Sequence, residues 1–160
     1  MISLIAAIGK NHELGYKNKL IWDLPNDLKF FRSVTINKTV VMGLNTFNSI
    51  GCALPKRKNI VLTDDLKKVT NEDVIVYDDI NVLIETELKN EDEEVFIIGG
   101  QSLYNYFISF ADRLYLTLID DTSIADVYFP SFDETKYKRT SFGFSEDNGI
   151  KYEHVLFERI

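Results

Sequence analysis

Asp27 is an acid in an apolar setting. Pro25 suits a first helical position, where its missing N–H costs nothing. Helical spacing then places Leu24, Leu28 and Phe31 on one stripe, with Val34 beside it. Asp27 stands three residues after Leu24 and four before Phe31, inside that stripe. Such a carboxylate is desolvated or lines a cleft. Desolvation disfavours its charged form, and a cationic or amidine-like ligand becomes a strong partner. The structural alternative is an acid in the first helical turn, where it favours the dipole and satisfies free N–H groups. Taken alone, the helix favours that alternative. Trp22, the only tryptophan, lies five residues earlier, and its N–H could hold a water or ligand beside the acid. Its plainer role is a core or rim aromatic.

Two glycine turns offer anion-binding chemistry. Ile98-Gly99-Gly100-Gln101-Ser102 leaves an apolar run and enters a helical stretch, and Met42-Gly43-Leu44-Asn45-Thr46 repeats the arrangement. Glycine permits close backbone approach, and a helix start offers free N–H groups. Neither turn matches a dinucleotide-binding Gly-x-Gly-x-x-Gly or a P-loop, and each alone is weak. Two such turns at one end of a sheet mean more, because ligands gather at the carboxyl ends of strands. Other chemistry is thin. His12 and His154 stand alone, and with a single cysteine, Cys52, no zinc set is expected and no internal disulfide can form. No nucleophile elbow occurs. The acidic runs Asp64-Asp65, Asp78-Asp79 and Glu91-Asp92-Glu93-Glu94 read as solvated loops.

The elements that must position these residues alternate. Apolar runs at Ile2–Ile8, 39–42, 59–63, 74–77 and 95–98 read as strands, most of them buried on both faces. Helical stretches at 25–34, 44–50, 81–88 and 101–109 lie between most of them. Arg113–Ile119 is a further strand. Lys136–Phe142 and Lys151–Glu158 predict an antiparallel hairpin across Asn148-Gly149. The expected fold is α/β, one domain over 1–160. It has a mostly parallel mixed sheet of about eight strands, an antiparallel C-terminal hairpin and about four flanking helices. A chain of 160 residues, 45% hydrophobic, can bury its own core. The net charge of −7 disfavours nucleic acid as the main partner. No secretory signal or spanning segment is recognisable, which predicts a cytoplasmic protein.

Several ungapped segments, in order, resemble the dihydrofolate reductase family nearly end to end. They are Ile2–Ala7, Trp22–Leu28, Val41-Met42-Gly43, Thr46–Gly51 and Leu54–Asn59, then Ile97–Gln101, Leu116-Thr117 and Asp126–Pro130. The resemblance implies hydride transfer from NADPH to 7,8-dihydrofolate, within one-carbon metabolism and thymidylate and purine synthesis, by a monomer open to antifolate inhibitors. Asp27 would bind the pterin and help protonate it at N5, through water near Trp22, with Thr117 supporting the carboxylate. Ile5, Ala6, Ala7, Leu28, Phe31 and Ile98 would wall the pterin pocket. Ile50 and Leu54 would flank the benzoyl ring, and Arg57 would grip the glutamate α-carboxylate. A closing loop over 10–24 would bring Leu14, Gly15, Asn18 and Leu20 to the cofactor, with Leu20 also touching substrate. Cofactor contacts are further implied at Ala7, Gly43, Leu44, Asn45, Thr46, Leu62, Thr63, Asp64, Ile98, Gly99, Gly100, Gln101, Ser102, Leu103 and Tyr104. A cis bond is implied between Gly99 and Gly100. No metal is implied.

The chain departs from the family pattern on the cofactor side. Leu44 stands where an arginine usually contacts cofactor phosphate, Asp64 where a neutral hydroxyl residue is common, and Ser102 where some members place arginine. A carboxylate suits a free 2′-hydroxyl better than a 2′-phosphate. NADH use alongside NADPH is therefore expected, unless Lys67 and Lys68 supply the missing charge. Ile21 replaces a proline before Trp22 and should loosen the loop. Two other functions stay open at the level of sequence. One is a reductase of the same fold acting on a ribosylamino-pyrimidine. The other is a pterin- or nucleotide-binding protein without turnover. Neither needs Trp22, Asp27, Arg57 and Thr117 together.

Overall fold

A computed structural model describes residues 1–160. Along the chain run β1 (Ile2–Ile8), β2 (Glu13–Tyr16), β3 (Lys19–Leu20), α1 (Pro25–Thr35), β4 (Thr39–Gly43) and α2 (Leu44–Ile50). Then come β5 (Lys58–Leu62), β6 (Val74–Tyr77), α3 (Ile80–Glu87), β7 (Val95–Gly99) and α4 (Gln101–Phe107). The chain ends with β8 (Arg113–Ile119), β9 (Val127–Tyr128), β10 (Tyr137–Asp147) and β11 (Ile150–Arg159). The eight-stranded sheet has the order β10-β11-β8-β1-β7-β4-β5-β6. Pairing is parallel from β6 through β8 and antiparallel at β8–β11 and β10–β11. The expected α/β fold, with four helices and an antiparallel C-terminal end, is therefore the observed one. Asn148 and Gly149 both take positive φ, 54° and 80°, as a tight hairpin turn requires. The hairpin strands run longer than the sequence predicts, because β10 extends through residues with no apolar alternation.

Period-two alternation splits the core by face. Leu4, Val41, Ile60, Ile97, Leu114 and Leu116 join Leu83 of α3 and Leu103 and Phe107 of α4 in one cluster. Ile5, Val40, Met42, Val61, Phe96 and Tyr115 form a second cluster with Phe47 of α2, and Phe31 and Val34 of α1 pack against it. So α1 and α2 share one face. Helix α1 covers that face loosely: Thr35 is its only buried residue. Leu24 is 4% exposed, but Leu28 is 54% exposed. The apolar stripe is therefore only partly a core stripe, and its Leu28 edge stands open.

A second sheet, β3-β2-β9, was not expected from the sequence. Its strands of two to four residues are too short to carry a period. It ties the loop after β1 to the segment before β10. Asp126 N–H donates to Gly15 O at 3.1 Å, and Lys17 N–H donates to Asp126 Oδ2 at 3.0 Å. No helix is long and apolar enough to cross a membrane.

Candidate functional site

Asp27 sits in the first turn of α1, yet another acid caps that helix. Asp147, at the end of β10, accepts the Asn26 backbone N–H through Oδ2 at 2.9 Å. The Tyr152 hydroxyl donates to Asp147 at 2.6 Å and, with the Asn26 groups, holds its carboxyl below the ordinary range. Leu24 at the cap position offers no side-chain cap. The structural role considered for Asp27 is therefore filled by Asp147, an anion at a helix start.

Asp27 turns instead toward the sheet. Thr117 Oγ1 of β8 donates to Asp27 Oδ1 at 2.6 Å, which places Thr117 as the resemblance implied. His154 Nε2 of β11 lies 3.0 Å from the same oxygen. His154 and Thr117 are register partners on adjacent strands. The Asp27 side chain is 14% exposed. No buried side-chain oxygen lacks a partner, so Asp27 Oδ2, which no protein group binds, keeps solvent-accessible surface. Sequence reasoning passed over His154. Alternation along β11 was the available signal: it puts Tyr152, His154 and Leu156 on one face.

Trp22 differs from its expectation. Its indole N–H donates to Asp121 Oδ2 at 3.0 Å, not into the space beside Asp27. That bond is the leading reason the Asp121 carboxyl lies below its ordinary range. The ring packs against Leu24, Ile119 and Tyr152, so Trp22 fastens the loop before α1 to the turn after β8.

The apolar walls fall into place by alternation. Ile5 belongs to the second cluster, and Phe31, Leu54 and Ile98 pack against it. Ala7 packs against the small cluster of Leu24, Ile119 and Tyr152. Ala6, by contrast, packs against the first cluster, as do Leu14 and Leu62, so its side chain points to the opposite face. Leu20, Leu28 and Ile50 are exposed at 70%, 54% and 38%. Buried Asn59 pins the loop bearing Leu54 and Arg57: its side chain accepts from Leu54 N–H at 2.8 Å and donates to the Leu54 and Arg57 carbonyls at 2.9 Å. Arg57 in turn donates to Thr35 Oγ1 at 3.1 Å and to Pro55 O at 3.0 Å. Partial burial, and then Arg32 nearby, pull its guanidinium below the usual range. No carboxylate pairs with it among the ion pairs. A positioned, half-desolvated, unpaired guanidinium is a site for a planar anion.

The two glycine turns end adjacent parallel strands, β4 and β7. The register slips by one residue between Val41/Met42 and Ile97/Gly99, and the Gly99–Gly100 bond is cis. Gly99 has φ 133°, and a Cβ there would lie 3.1 Å from Thr46 Oγ1. A Cβ on Gly43 would lie 4.0 Å from Gly100 N, so the turns touch. Neither α2 nor α4 has a side-chain cap, whereas Asp79 caps α3. Gln101 Oε1 accepts from Tyr128 N–H at 2.6 Å, which ties α4 to β9. Leu103 and Tyr104 are buried beneath the turn, each 4% exposed, and the Tyr104 hydroxyl donates to Ile5 O at 2.7 Å. They support the turn from below instead of lining it.

Asn18 and Asn45 share a polar hollow of about 370 Å³ with Lys17, Lys19, Asn48 and Ser49. Past β5, Thr63 is buried and its hydroxyl accepts from Asp65 N–H at 3.3 Å. Asp64 is 91% exposed, with Lys68 Nζ 3.9 Å away. Ser102 is exposed on α4. Cys52 is exposed and free. A concavity of about 580 Å³ lies apart from Asp27 and both glycine turns; it is lined by Leu116, Leu118, Phe132 and Phe157, with Lys10 paired to Asp120 and Glu153 to Arg139.

The model of the dihydrofolate reductase family matches residues 1–159. The chain is 39% identical to the dihydrofolate reductase of Bacillus subtilis (strain 168) over 162 aligned positions, covering 99% of this chain and 95% of that one. It is 44% identical to the dihydrofolate reductase of Buchnera aphidicola subsp. Acyrthosiphon pisum over 142 positions, 88% and 86% of the two chains. Among solved structures it is similar to dihydrofolate reductase from Enterococcus faecalis complexed with NADP(H) and RAB-propyl. That match has a TM-score of 0.86 and 32% identity, covering 99% of this chain and 96% of the other.

Proposed function

Because this chain belongs to the dihydrofolate reductase family, we propose that its cleft reduces 7,8-dihydrofolate to tetrahydrofolate with NADPH, and that Asp27 assists protonation of the pterin at N5. The observation that carries this reading is the Asp27 carboxylate, held by Thr117 through one oxygen and open to the cleft through the other. Asp27 binds the pterin's ring N–H and exocyclic amino group, a donor pair that a carboxylate accepts well. It thereby holds the heterocycle against Ile5, Phe31 and Ile98. The proton for N5 comes from solvent on the Asp27 side. Since the Trp22 N–H is engaged by Asp121, Trp22 serves by holding the loop closed and limiting water. Leu28, Ile50 and Leu54 receive the benzoyl ring. Arg57 takes the glutamate α-carboxylate, the anion its pocket lacks.

The cofactor side fits NADPH on two counts. The turns Gly43–Thr46 and Gly99–Ser102 leave backbone N–H groups uncapped, and the positive φ of Gly99, 133°, disfavours any side chain there. Leu14, Gly15, Asn18 and Leu20 of the loop, together with Ala7, would contact it, and Leu62, Thr63 and Asp64 would meet the adenosine end. When bound, NADPH supplies the hydride; the protein's part is to hold donor and acceptor carbons at close range away from bulk water. The proposed setting is the cytoplasm, as a monomer.

Loss of NADPH absorbance on adding dihydrofolate tests this directly. Wild type should turn over, and Asp27→Asn should lose about 100-fold or more in kcat/KM at neutral pH. No turnover in wild type, or an unaffected variant, would overturn the assignment.

A further inference from the structure

The geometry points to His154 as a positioning residue for Asp27: we propose that its imidazole, with the Thr117 hydroxyl, pins one carboxylate oxygen so that the other faces the substrate. This rests on the reading of Asp27 given above.

Four observations converge on it. First, His154 Nε2 and Thr117 Oγ1 reach the same atom, Asp27 Oδ1, at 3.0 and 2.6 Å. Each carboxylate oxygen offers two lone pairs. Both on Oδ1 are therefore taken, and both on Oδ2 remain for a ligand. Second, the two donors come from register-paired residues of β8 and β11, so the sheet sets their separation. Third, the imidazole cannot readily swing away. It stacks on Phe30 at 3.9 Å and 14°, and Tyr152 meets it edge-on at 5.3 Å and 67°. Phe30 is three residues beyond Asp27 on α1, so one helix carries both the acid and the ring that clamps its partner. Fourth, His154 is 9% exposed, and a buried imidazole needs a polar partner.

The surrounding groups leave Asp27 as that partner. From α1, Asp27 itself is the charged group in contact. From β8 the contact is the neutral Thr117, and β10 sends Phe142 against Phe30 at 6.2 Å. The Tyr152 hydroxyl is spent on Asp147 at 2.6 Å, and Glu153 is paired with Arg139 at 2.8 Å. A carboxylate held at one point rotates about its own axis. Two fixed donors to one oxygen remove that freedom, which is how a supporting group locks a reactive rotamer.

Two substitutions and a cycle test it. His154→Phe keeps a ring on Phe30 and removes the donor, whereas His154→Gln keeps a donor and removes the stack. The expected result for His154→Phe is a fall of about tenfold in kcat/KM for dihydrofolate, the scale of one hydrogen bond to a charged group. NADPH affinity should stay within twofold, and the melting temperature near that of wild type. His154→Gln should recover most of the loss. In an Asp27→Asn background, His154→Phe should cost less than twofold, because its route to the reaction is gone. An equal loss in both backgrounds, unchanged kinetics, or tighter dihydrofolate binding in His154→Phe would overturn the inference. The last of these would mean that the imidazole competes with the ligand for Oδ1. Failure of wild type to reduce dihydrofolate would instead break the earlier assignment of function, so the two failures are separable.

Discussion

On the proposed folate side of the cleft, the site is built from side chains that meet from distant parts of the chain. Asp27 comes from α1, Thr117 from β8 and His154 from β11, while Thr35 and Asn59 hold Arg57 and its loop. On the proposed cofactor side, the site is built from backbone. Gly43 and the Gly99–Gly100 pair end adjacent strands, and two helices start there without side-chain caps. The first kind of site depends on register and rotamer. It tolerates backbone change poorly only where a strand shifts. The second depends on φ and on the absence of Cβ atoms, so a single methyl group reaches it. Charge divides the sides as well. The folate side keeps an unpaired guanidinium, whereas the 2′-phosphate side presents Asp64 and the aliphatic Leu44.

The largest effect that would sharpen this contrast is expected at Gly99. Its φ of 133° is costly for any other residue, and an added Cβ would press on Thr46 Oγ1 at 3.1 Å. Gly99→Ala should weaken NADPH binding by about tenfold to 100-fold, the equivalent of roughly 1.4–2.7 kcal/mol. The dihydrofolate KM at saturating cofactor should move less than twofold. Fluorescence titration with NADPH measures the first quantity and steady-state kinetics the second. Equal weakening of both ligands would erase the distinction between the sides.

Arg57 gives the converse case. Lysine cannot reproduce its fork, and Thr35 is placed for a guanidinium N–H at 3.1 Å. Arg57→Lys should raise the dihydrofolate KM by about tenfold, leaving kcat and NADPH affinity within twofold. A change confined to kcat would place Arg57 outside the binding contact.

A smaller effect is expected where the sides differ in charge. Because Asp64 is 91% exposed, its influence on a bound phosphate is screened, and Lys68 at 3.9 Å offsets part of it. With the aliphatic Leu44 offering the phosphate no charge, wild type should nonetheless prefer NADPH over NADH by less than about 100-fold, some 2.7 kcal/mol. Leu44→Arg should increase that preference by about fivefold, as one exposed charge can. The ratio of kcat/KM for the two cofactors decides it, and a wild-type ratio well above 100 would show that Lys67 and Lys68 already do the work.

The contrast also explains what the sequence made legible. The glycine turns were readable because backbone requirements leave glycine in the chain itself. Asp27 was readable as an acid in an apolar stripe, but not its release from capping. That depends on Asp147, which the hairpin carries back across the sheet to the Asn26 N–H. His154 looks solitary in the sequence because its partner lies 127 positions away. Ala6 shares a motif with the pocket residues Ile5 and Ala7, but alternation along β1 turns it to the other face. The β3-β2-β9 sheet left no periodic trace, and Trp22 found Asp121 through a loop whose path no local pattern encodes.

The loop over 10–24, proposed as a lid, belongs to neither side, and Glu13 tests that. It is 1% exposed, with Asn11 N–H donating to Oε1 at 2.7 Å and Ser123 N–H to Oε2 at 2.8 Å. Burial pushes its carboxyl up, but the backbone N–H groups of Glu13, Ser123 and Asn11 together outweigh burial and hold it below the ordinary 4.5. A carboxyl lowered on folding stabilises the protein fully above its ordinary value and loses that contribution as pH falls through the lower, folded value. Glu13→Gln should therefore cost about 1 kcal/mol at neutral pH. Its gap from wild type in thermal unfolding should narrow as the pH drops below 4.5. Affinities for dihydrofolate and NADPH should change together and by less than threefold, since a loosened lid taxes both ligands alike. A gap that stays constant down to acid pH would mean that the carboxylate charge does not hold the lid. A change in one ligand alone would assign the lid to that side of the cleft.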